Sequence, residues 1–528
     1  MHRRRRGCDS VPSPDANKSH HLWPDLLIVA VIAAVAIGLR YYRIGEVPPG
    51  FNSDEAVGAV GALETLRSGL RLHYAGQGGG GALGFYIAAL AFALFGPGVA
   101  TIRGTAAFAG VVSVIATYFL VREMFRDDLG NSDDAASAMR RARLLAALAA
   151  LGLAVSGWHV ASSRVAFAAI GVPFLQAPAA FFLWRGLRTG RQRHFIVSGV
   201  LLAAVAFIYM SGAFVPFVFL TFFLLQWAIA RRTDRQPSDV LRGAPASDDP
   251  GAALALRQPL LTAHFRNLVL CVGVAVLFLL PMVYLLLTNP EAATQRAQQT
   301  LFINPLINQG DPWGTLWRSL WGNLAAFGLS LSWIQGQPPA NLIISAPLAV
   351  LFVIGLAVSI WRSGRGRAAY LFAILGWLIM LAPSILSPDS IPHAARALGA
   401  AVSTFTLIAI GMLAVVELAQ RLVGAVARTP LTGTARTAVT GVVLAGLWLG
   451  QLPQIVADFD HYFNVWPHTN DAQAAFHVYA VELAADMSRD KDPQAVYLLP
   501  RDTAAGDVNP NYTVMFLHSG PAGYAWVV

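Results

Sequence analysis

Charge and cysteine are both scarce in this chain. Only 13% of its 528 residues are Asp, Glu, Lys or Arg, and 55% are hydrophobic. A soluble domain carries about 25% charged residues, so a water-soluble globule is excluded and most of the length belongs in membrane spans. The two cysteines, Cys8 and Cys271, build neither a disulfide framework nor a cysteine zinc site. No Gly-Lys-Ser/Thr follows the glycine run Gly78–Gly81, which excludes a Walker-type phosphate loop and leaves close backbone approach or a hinge. No internal repeat of the transporter kind is visible. His159, His393, His461, His468 and His477 show no metal-ligand spacing; a divalent metal stays open as an added component. No small-residue cleavage site follows the first apolar segment, which ends in Arg40-Tyr41-Tyr42-Arg43, so that segment is read as an uncleaved span.

What the chain has is apolar stretches of about 20 residues, the length a bilayer requires. Eleven are read as spans, near 24–44, 99–121, 144–158, 167–185, 195–211, 213–230, 267–288, 343–361, 368–386, 398–419 and 438–453. A twelfth, Ala82–Phe95, is only 14 residues long and is read as interfacial. The positive-inside rule supports that choice. With the N-terminus in the cytoplasm, 26 of the 38 Lys and Arg fall on six cytoplasmic segments. If Ala82–Phe95 crossed, every later basic loop would face outward. The net charge of +9 is thus a mark of topology and not of nucleic-acid binding.

The expected fold is therefore an all-α integral membrane protein with about eleven transmembrane helices plus an interfacial helix. It comprises a polytopic domain over 1–453 and a small extracytoplasmic segment over 454–528. In the tail, Asp471–Arg489 reads as an amphipathic helix. Ala495–Leu499 and Val514–Leu517 read as short strands, giving a small α/β appendage. The segments 127–143 and 231–266 read as flexible cytoplasmic connectors.

The expected chemistry starts from Asp54-Glu55, a carboxylate pair just outside the first span, where such groups are retained for a reason. Ser53-Asp54-Glu55 also suits a helix N-terminus, so one acid can serve the helix while the other does chemistry. Extracytoplasmic cations are few: Arg103 opening the second span, His159 and Arg164 in the turn after the third, Arg296 in a long loop, and His393 and Arg396 before the tenth. They are candidates to meet a lipid phosphate, or alternatively to reach headgroups or pair with acids. Trp313, Trp317, Trp321 and Trp333 read as interface-belt aromatics, with sugar stacking as the alternative.

In their order along the chain these residues resemble the polytopic GT-C glycosyltransferases, closest to the protein O-mannosyltransferase superfamily (glycosyltransferase family 39) and bacterial relatives such as the aminoarabinose transferases. The likeness rests on Asp54-Glu55, Phe95-Gly96 closing the interfacial helix, Ile102-Arg103-Gly104, Ser163-Arg164, Tyr209 in Phe-Ile-Tyr-Met-Ser, and Pro392-His393-Ala394-Ala395-Arg396. It covers roughly 22–453. The chain departs from the family in having Gly79-Gly80-Gly81-Ala82-Leu83 in place of a His-Pro-Pro-Leu-like sequence, and Gly212-Ala213 where many members carry an Arg.

The resemblance implies a polyprenyl-phosphate-linked sugar donor, inverting transfer to an acceptor hydroxyl of a glycan, lipid or protein, and a site at the extracytoplasmic face of the cell membrane. Asp54 matches the family's base and Glu55 its partner. Arg164, His393, Arg396 and Arg103 are candidates for the donor phosphate. His159, Tyr209 and Arg296 are further candidates, and no metal ligand is assigned. A transporter or flippase of polyprenyl-linked glycans would use similar surface cations and charged residues deep in its spans. A glycan ligase or polymerase would not need Asp54.

Overall fold

The computed structural model describes residues 23–72, 81–126, 135–234, 264–329, 344–489 and 511–518. The tetra-arginine N-terminus, the glycines Gly78–Gly80, Asp127–Asp134, most of the 231–266 connector, Trp333 and the expected strand Ala495–Leu499 lie outside the described residues.

Each of the eleven apolar stretches forms a helix. They are α1 (Trp23–Tyr41), α4 (Val99–Phe125), α5 (Ala135–Val155), α7 (Gly171–Thr189), α8 (Gln192–Ala206), α9 (Val215–Asp234), α10 (Phe265–Thr288), α14 (Ala346–Ser363), α15 (Ala368–Leu386), α16 (Ala401–Ala427) and α17 (Gly433–Asp460). Among the described residues eight helices are long and apolar enough to cross a membrane; α5, α7 and α8 fall outside those limits. The chain is a multi-pass membrane protein.

Side-chain contacts fix which ends of the helices lie together. At one end Asp25 of α1 pairs with Arg122 of α4 and Arg143 of α5, and Glu123 of α4 pairs with Arg188 of α7. At the other, Arg40 of α1 meets the carbonyl of Ala154 on α5, and Arg103 of α4 lies beside the chain that leaves α1. Charge is thus gathered at the two ends of the bundle, with apolar side chains between. Close approach needs small residues: a Cβ at Gly355 of α14 would lie 1.8 Å from the Leu407 carbonyl oxygen of α16, and one at Gly411 of α16 would lie 1.9 Å from that of Leu351.

Helix α2 (Ser53–Ser68) follows the first span, and α3 (Ala82–Phe95) is the short apolar helix. Gly81, just before α3, donates to the carbonyl of Ile208 beyond α8, and α3 leads at its other terminus into the start of α4. Both termini of α3 therefore lie at the same end of the bundle, and α3 packs on α2 and α4 without crossing. The same end carries α6 (Gly157–Ser162), α11 (Pro290–Thr300), α12 (Pro305–Asn308), α13 (Pro312–Leu324) and the tail helices α18 (Asn470–Ala475), α19 (Val478–Arg489) and α20 (Asn511–Leu517). Trp313, Trp317 and Trp321 lie exposed at i, i+4 and i+8 along α13.

The tail differs from expectation in two places. Val514–Leu517 is not a strand but part of α20. A four-residue apolar run carries no period, and here packing against α2 and α19 decides its form. The single helix expected over Asp471–Arg489 is broken into α18 and α19 at His477, whose φ of 46° interrupts the helix. Helix α17 continues past residue 453 to Asp460, and the carbonyl of Phe476 accepts from the backbone N–H of Phe51 at 2.7 Å.

Candidate active site

The two acids of the pair part company. Asn52 is the residue that caps α2, its Oδ1 accepting from the Glu55 N–H at 2.8 Å while Glu55 Oε2 accepts from the Asn52 N–H at 3.3 Å. Glu55 turns inward and is wholly buried. Its Oε1 accepts from Arg103 Nε at 2.8 Å and from the Ala166 N–H at 3.1 Å, and its Oε2 also accepts from Arg103 Nη2 at 2.9 Å. A carboxylate has about four lone-pair positions, and four N–H groups fill them. Asp54, one residue earlier on the same turn, is exposed.

Asp54 stands on the wall of a groove bounded by α2, α3, α4 and the start of α7, which encloses about 860 Å³ when the open solvent at its mouth is included. Phe85, Ile102, Phe108, Phe167 and Phe174 make its wall apolar, and Asp54 is its one ionisable side chain among the described residues. Gly81 allows the groove to close at one edge: a Cβ there would lie 1.7 Å from the Phe207 carbonyl oxygen. Tyr209 lies behind this wall, buried, its ring 5.2 Å from that of Phe167 in an edge-on contact.

Three arginines named from the sequence hold backbone. Arg103 donates to the carbonyls of Pro48 and Gly50 besides gripping Glu55. Arg164 donates through Nη1 to Leu39 and Arg40 and through Nη2 to Arg43 and Val47, with Phe463 stacked 4.6 Å from its guanidinium. Arg396 donates to the Ser387 carbonyl and grips Asp389 with both Nη atoms. All three are buried. Of the two readings the sequence leaves open for them, pairing with acids is what Arg103 and Arg396 do here, and backbone carbonyls engage the terminal N–H groups of Arg164. Together Arg103 and Arg164 pin residues 39–50, the strip of chain that delivers Asp54 to the groove.

His393 is half-buried; its Nδ1 accepts from the Arg396 N–H at 3.4 Å and its own N–H donates to Ser384 Oγ at 3.0 Å. His159 is buried, with Nδ1 2.8 Å from Arg40 Nη2. Burial, aided by the Arg40 charge, holds its pKa well below the ordinary imidazole value. Since Arg40 can only donate, Nδ1 accepts and the proton of the neutral ring sits on Nε2. Arg296 belongs to α11. Among the described side chains, none of Arg103, His159, Arg164, Tyr209, His393 and Arg396 lines the Asp54 groove. Among the described residues no group of three His, Cys, Asp or Glu side chains comes together as a metal site.

Sequence reasoning missed Arg40, Asp389 and the aromatic pair Tyr462 and Phe463 over which Arg164 lies. Arg40 carried a signal, as a charge at the end of an apolar segment. The other three become visible only once the loops are folded together.

No family model matches the sequence, and no curated protein matches it. Solved structures do. The archaeal oligosaccharyltransferase AglB from Archaeoglobus fulgidus, in complex with an inhibitory peptide and a dolichol-phosphate, superposes with a TM-score of 0.51 at 13% identity, over 96% of this chain and 64% of that one. ArnT from Cupriavidus metallidurans bound to undecaprenyl phosphate gives 0.48 at 13% identity, over 95% and 85%. The Pmt1-Pmt2 protein O-mannosyltransferase complex of S. cerevisiae bound to the sugar donor gives 0.35 at 17%, over 50% and 33%. The chain spans about two thirds of the length of the archaeal enzyme. At such identities the likeness shows architecture alone: the fold of this chain is similar to that of the archaeal oligosaccharyltransferase.

Proposed function

We propose that the chain is a membrane glycosyltransferase that moves a sugar from a polyprenyl-phosphate-linked donor to an acceptor hydroxyl at the extracytoplasmic face, with Asp54 as the base. The observation that carries this reading is the division of labour within the acidic pair: Glu55 is turned inward onto Arg103, and Asp54 is, among the described residues, the one ionisable group lining an apolar groove. An apolar groove beside a carboxylate suits a long prenyl chain whose headgroup must meet a polar acceptor. The architecture shared with AglB, whose structure holds a dolichol-phosphate, supports the donor class.

In the proposed reaction the acceptor hydroxyl attacks the anomeric carbon and inverts it. Its proton passes to Asp54, and the carbon–oxygen bond to the lipid phosphate breaks, releasing polyprenyl phosphate. A phosphate leaving group needs its charge met more than it needs protonation. The groups proposed to meet it are the His393 imidazole, in the loop before α16, and Arg296 of α11, both at this end of the bundle. Arg103, Arg164 and Arg396 are proposed as positioning residues. Eleven crossings with the C-terminus outside are part of the proposal, supported by the distribution of basic residues along the sequence.

The test is release of polyprenyl phosphate from radiolabelled polyprenyl-phosphate sugars by purified wild type and Asp54→Asn, with lipid and peptide acceptors. Turnover by wild type and its loss in a folded Asp54→Asn protein is the expected result. Equal turnover by both would remove Asp54 from the chemistry. No turnover by either across several donors would favour a carrier of lipid-linked glycans.

A further inference from the structure

The end of the bundle opposite Asp54 carries a groove that the reaction above does not use. It lies between the beginning of α5, the end of α14 and the turn joining α16 to α17, and it encloses about 1180 Å³ including its open mouth. Arg141, Arg362, Arg421, Arg428 and Arg436 line it, with Glu417 the one carboxylate on its wall among the described residues. Other arginines at this end have acids: Arg122 and Arg143 share Asp25, and Arg185 and Arg188 share Glu123. Among the described residues no carboxylate lies within ion-pairing distance of any of the five groove arginines.

The arrangement is held in place. Gln420 Nε2 on α16 donates to the Arg436 carbonyl at 3.2 Å and to Thr440 Oγ1 at 2.9 Å on α17, fixing the two helices that supply Arg421 and Arg436 and flank the turn carrying Arg428. Arg428 sits at the end of α16 with φ 54°, a conformation that favours glycine. Beside the groove, Leu418, Leu422 and Val426 of α16 and Val442 of α17 are exposed apolar side chains, a surface suited to acyl chains.

We propose that this groove binds an anion carrying two phosphates, presented by a membrane lipid headgroup. Guanidinium forks meet phosphate oxygens in pairs. Five forks facing one glutamate leave more positive charge than a single phosphate neutralises, and basic pockets between helices at a membrane surface suit such headgroups. The proposal does not depend on the assignment of Asp54.

Full-length protein in neutral detergent is titrated with cardiolipin, with phosphatidylcholine and with sodium pyrophosphate, and binding is followed by native mass spectrometry and thermal shift. Wild type is expected to retain cardiolipin selectively and melt higher with it. The triple variant Arg421→Gln/Arg428→Gln/Arg436→Gln, altered at exposed positions, is expected to bind at least ~10-fold more weakly, with its lipid-free melting temperature unchanged. Glu417→Gln is expected to bind more tightly. Displacement of cardiolipin by pyrophosphate at comparable concentration would support the two-phosphate site with a soluble source; cardiolipin binding without such displacement would support the lipid source. Equal cardiolipin binding by wild type and triple variant would overturn the proposal. If the triple variant fails to fold, Glu417→Gln decides alone: tighter binding supports the site, and unchanged affinity overturns it.

Discussion

Glu55 and Arg103 grip each other through two parallel hydrogen bonds of 2.8 and 2.9 Å with both side chains wholly buried, at the point where α2 meets α4. A buried pair of this kind contributes little net stability compared with apolar residues, but losing one partner strands a charge and costs about 3–5 kcal/mol. Glu55→Gln keeps the shape and leaves the Arg103 charge uncompensated. It should lower the melting temperature of the detergent-solubilised protein markedly, and the double variant Glu55→Gln/Arg103→Gln should recover part of the loss. Additive losses in that cycle would mean the two residues act separately.

Arg164 illustrates a second arginine doing architectural work. Its four hydrogen bonds to the carbonyls of Leu39, Arg40, Arg43 and Val47 require a planar fork that lysine lacks. Arg164→Lys should therefore retain the charge and still destabilise by on the order of 3 kcal/mol, as several hydrogen bonds to a charged group are lost. The readout is faster proteolytic cleavage between α1 and α2. A cleavage rate equal to that of wild type would show that the strip is held by other contacts.

These two arginines mark the boundary of what the sequence reveals. Each apolar stretch became a helix because a run of about 20 apolar residues in a bilayer has few alternatives. The short stretch Ala82–Phe95 stayed at one end because its 14 residues are too few to cross. Asp54-Glu55 was visible as a pair, and so was the possibility of divided roles. Which acid turns inward depends on the phase of α2 against α4, set by Asn52 and Arg103, which are 51 residues apart along the chain. The partners of Arg164 and Arg396 are backbone carbonyls and a carboxylate presented by folded loops, and a sequence shows which atoms exist but not which way they point. The helix Asn511–Leu517 was illegible because seven residues flanked by polar chain fit either period.

His159 gives a pH dependence with a definite sign. Burial and Arg40 hold its folded-state pKa well below 6.5, so it is neutral when folded and takes up a proton on unfolding once the pH falls below about 6.5. The unfolded state then binds more protons, and stability falls as the pH falls, by up to about 1.4 kcal/mol per pH unit. Above that pH the contribution is constant. The melting temperature of wild type should drop between pH 7.5 and pH 5.5 more than that of His159→Asn, which cannot titrate. Parallel curves for the two proteins would show that His159 is not the group responsible.

Gly61 offers a way to perturb the groove without touching Asp54. The ring of Phe85 packs directly on it: a Cβ at Gly61 would lie 2.8 Å from Phe85 Cδ1. Phe85 also lines the groove, so a side chain at position 61 must push this ring, or α3 with it, into the space proposed for the prenyl chain. Gly61→Val should cost about 1–3 kcal/mol of packing, and part of that cost should appear as weaker donor binding. Since each 1.4 kcal/mol is tenfold in affinity, the expected result is a KM for the polyprenyl donor raised by roughly 5- to 20-fold, with kcat within about a factor of 2. A water-soluble, short-chain donor should feel the substitution much less, because it leaves the apolar wall unused. If kcat fell and KM held, Phe85 would be supporting the position of Asp54 across α2, and the prenyl chain would have to run along another face of the bundle.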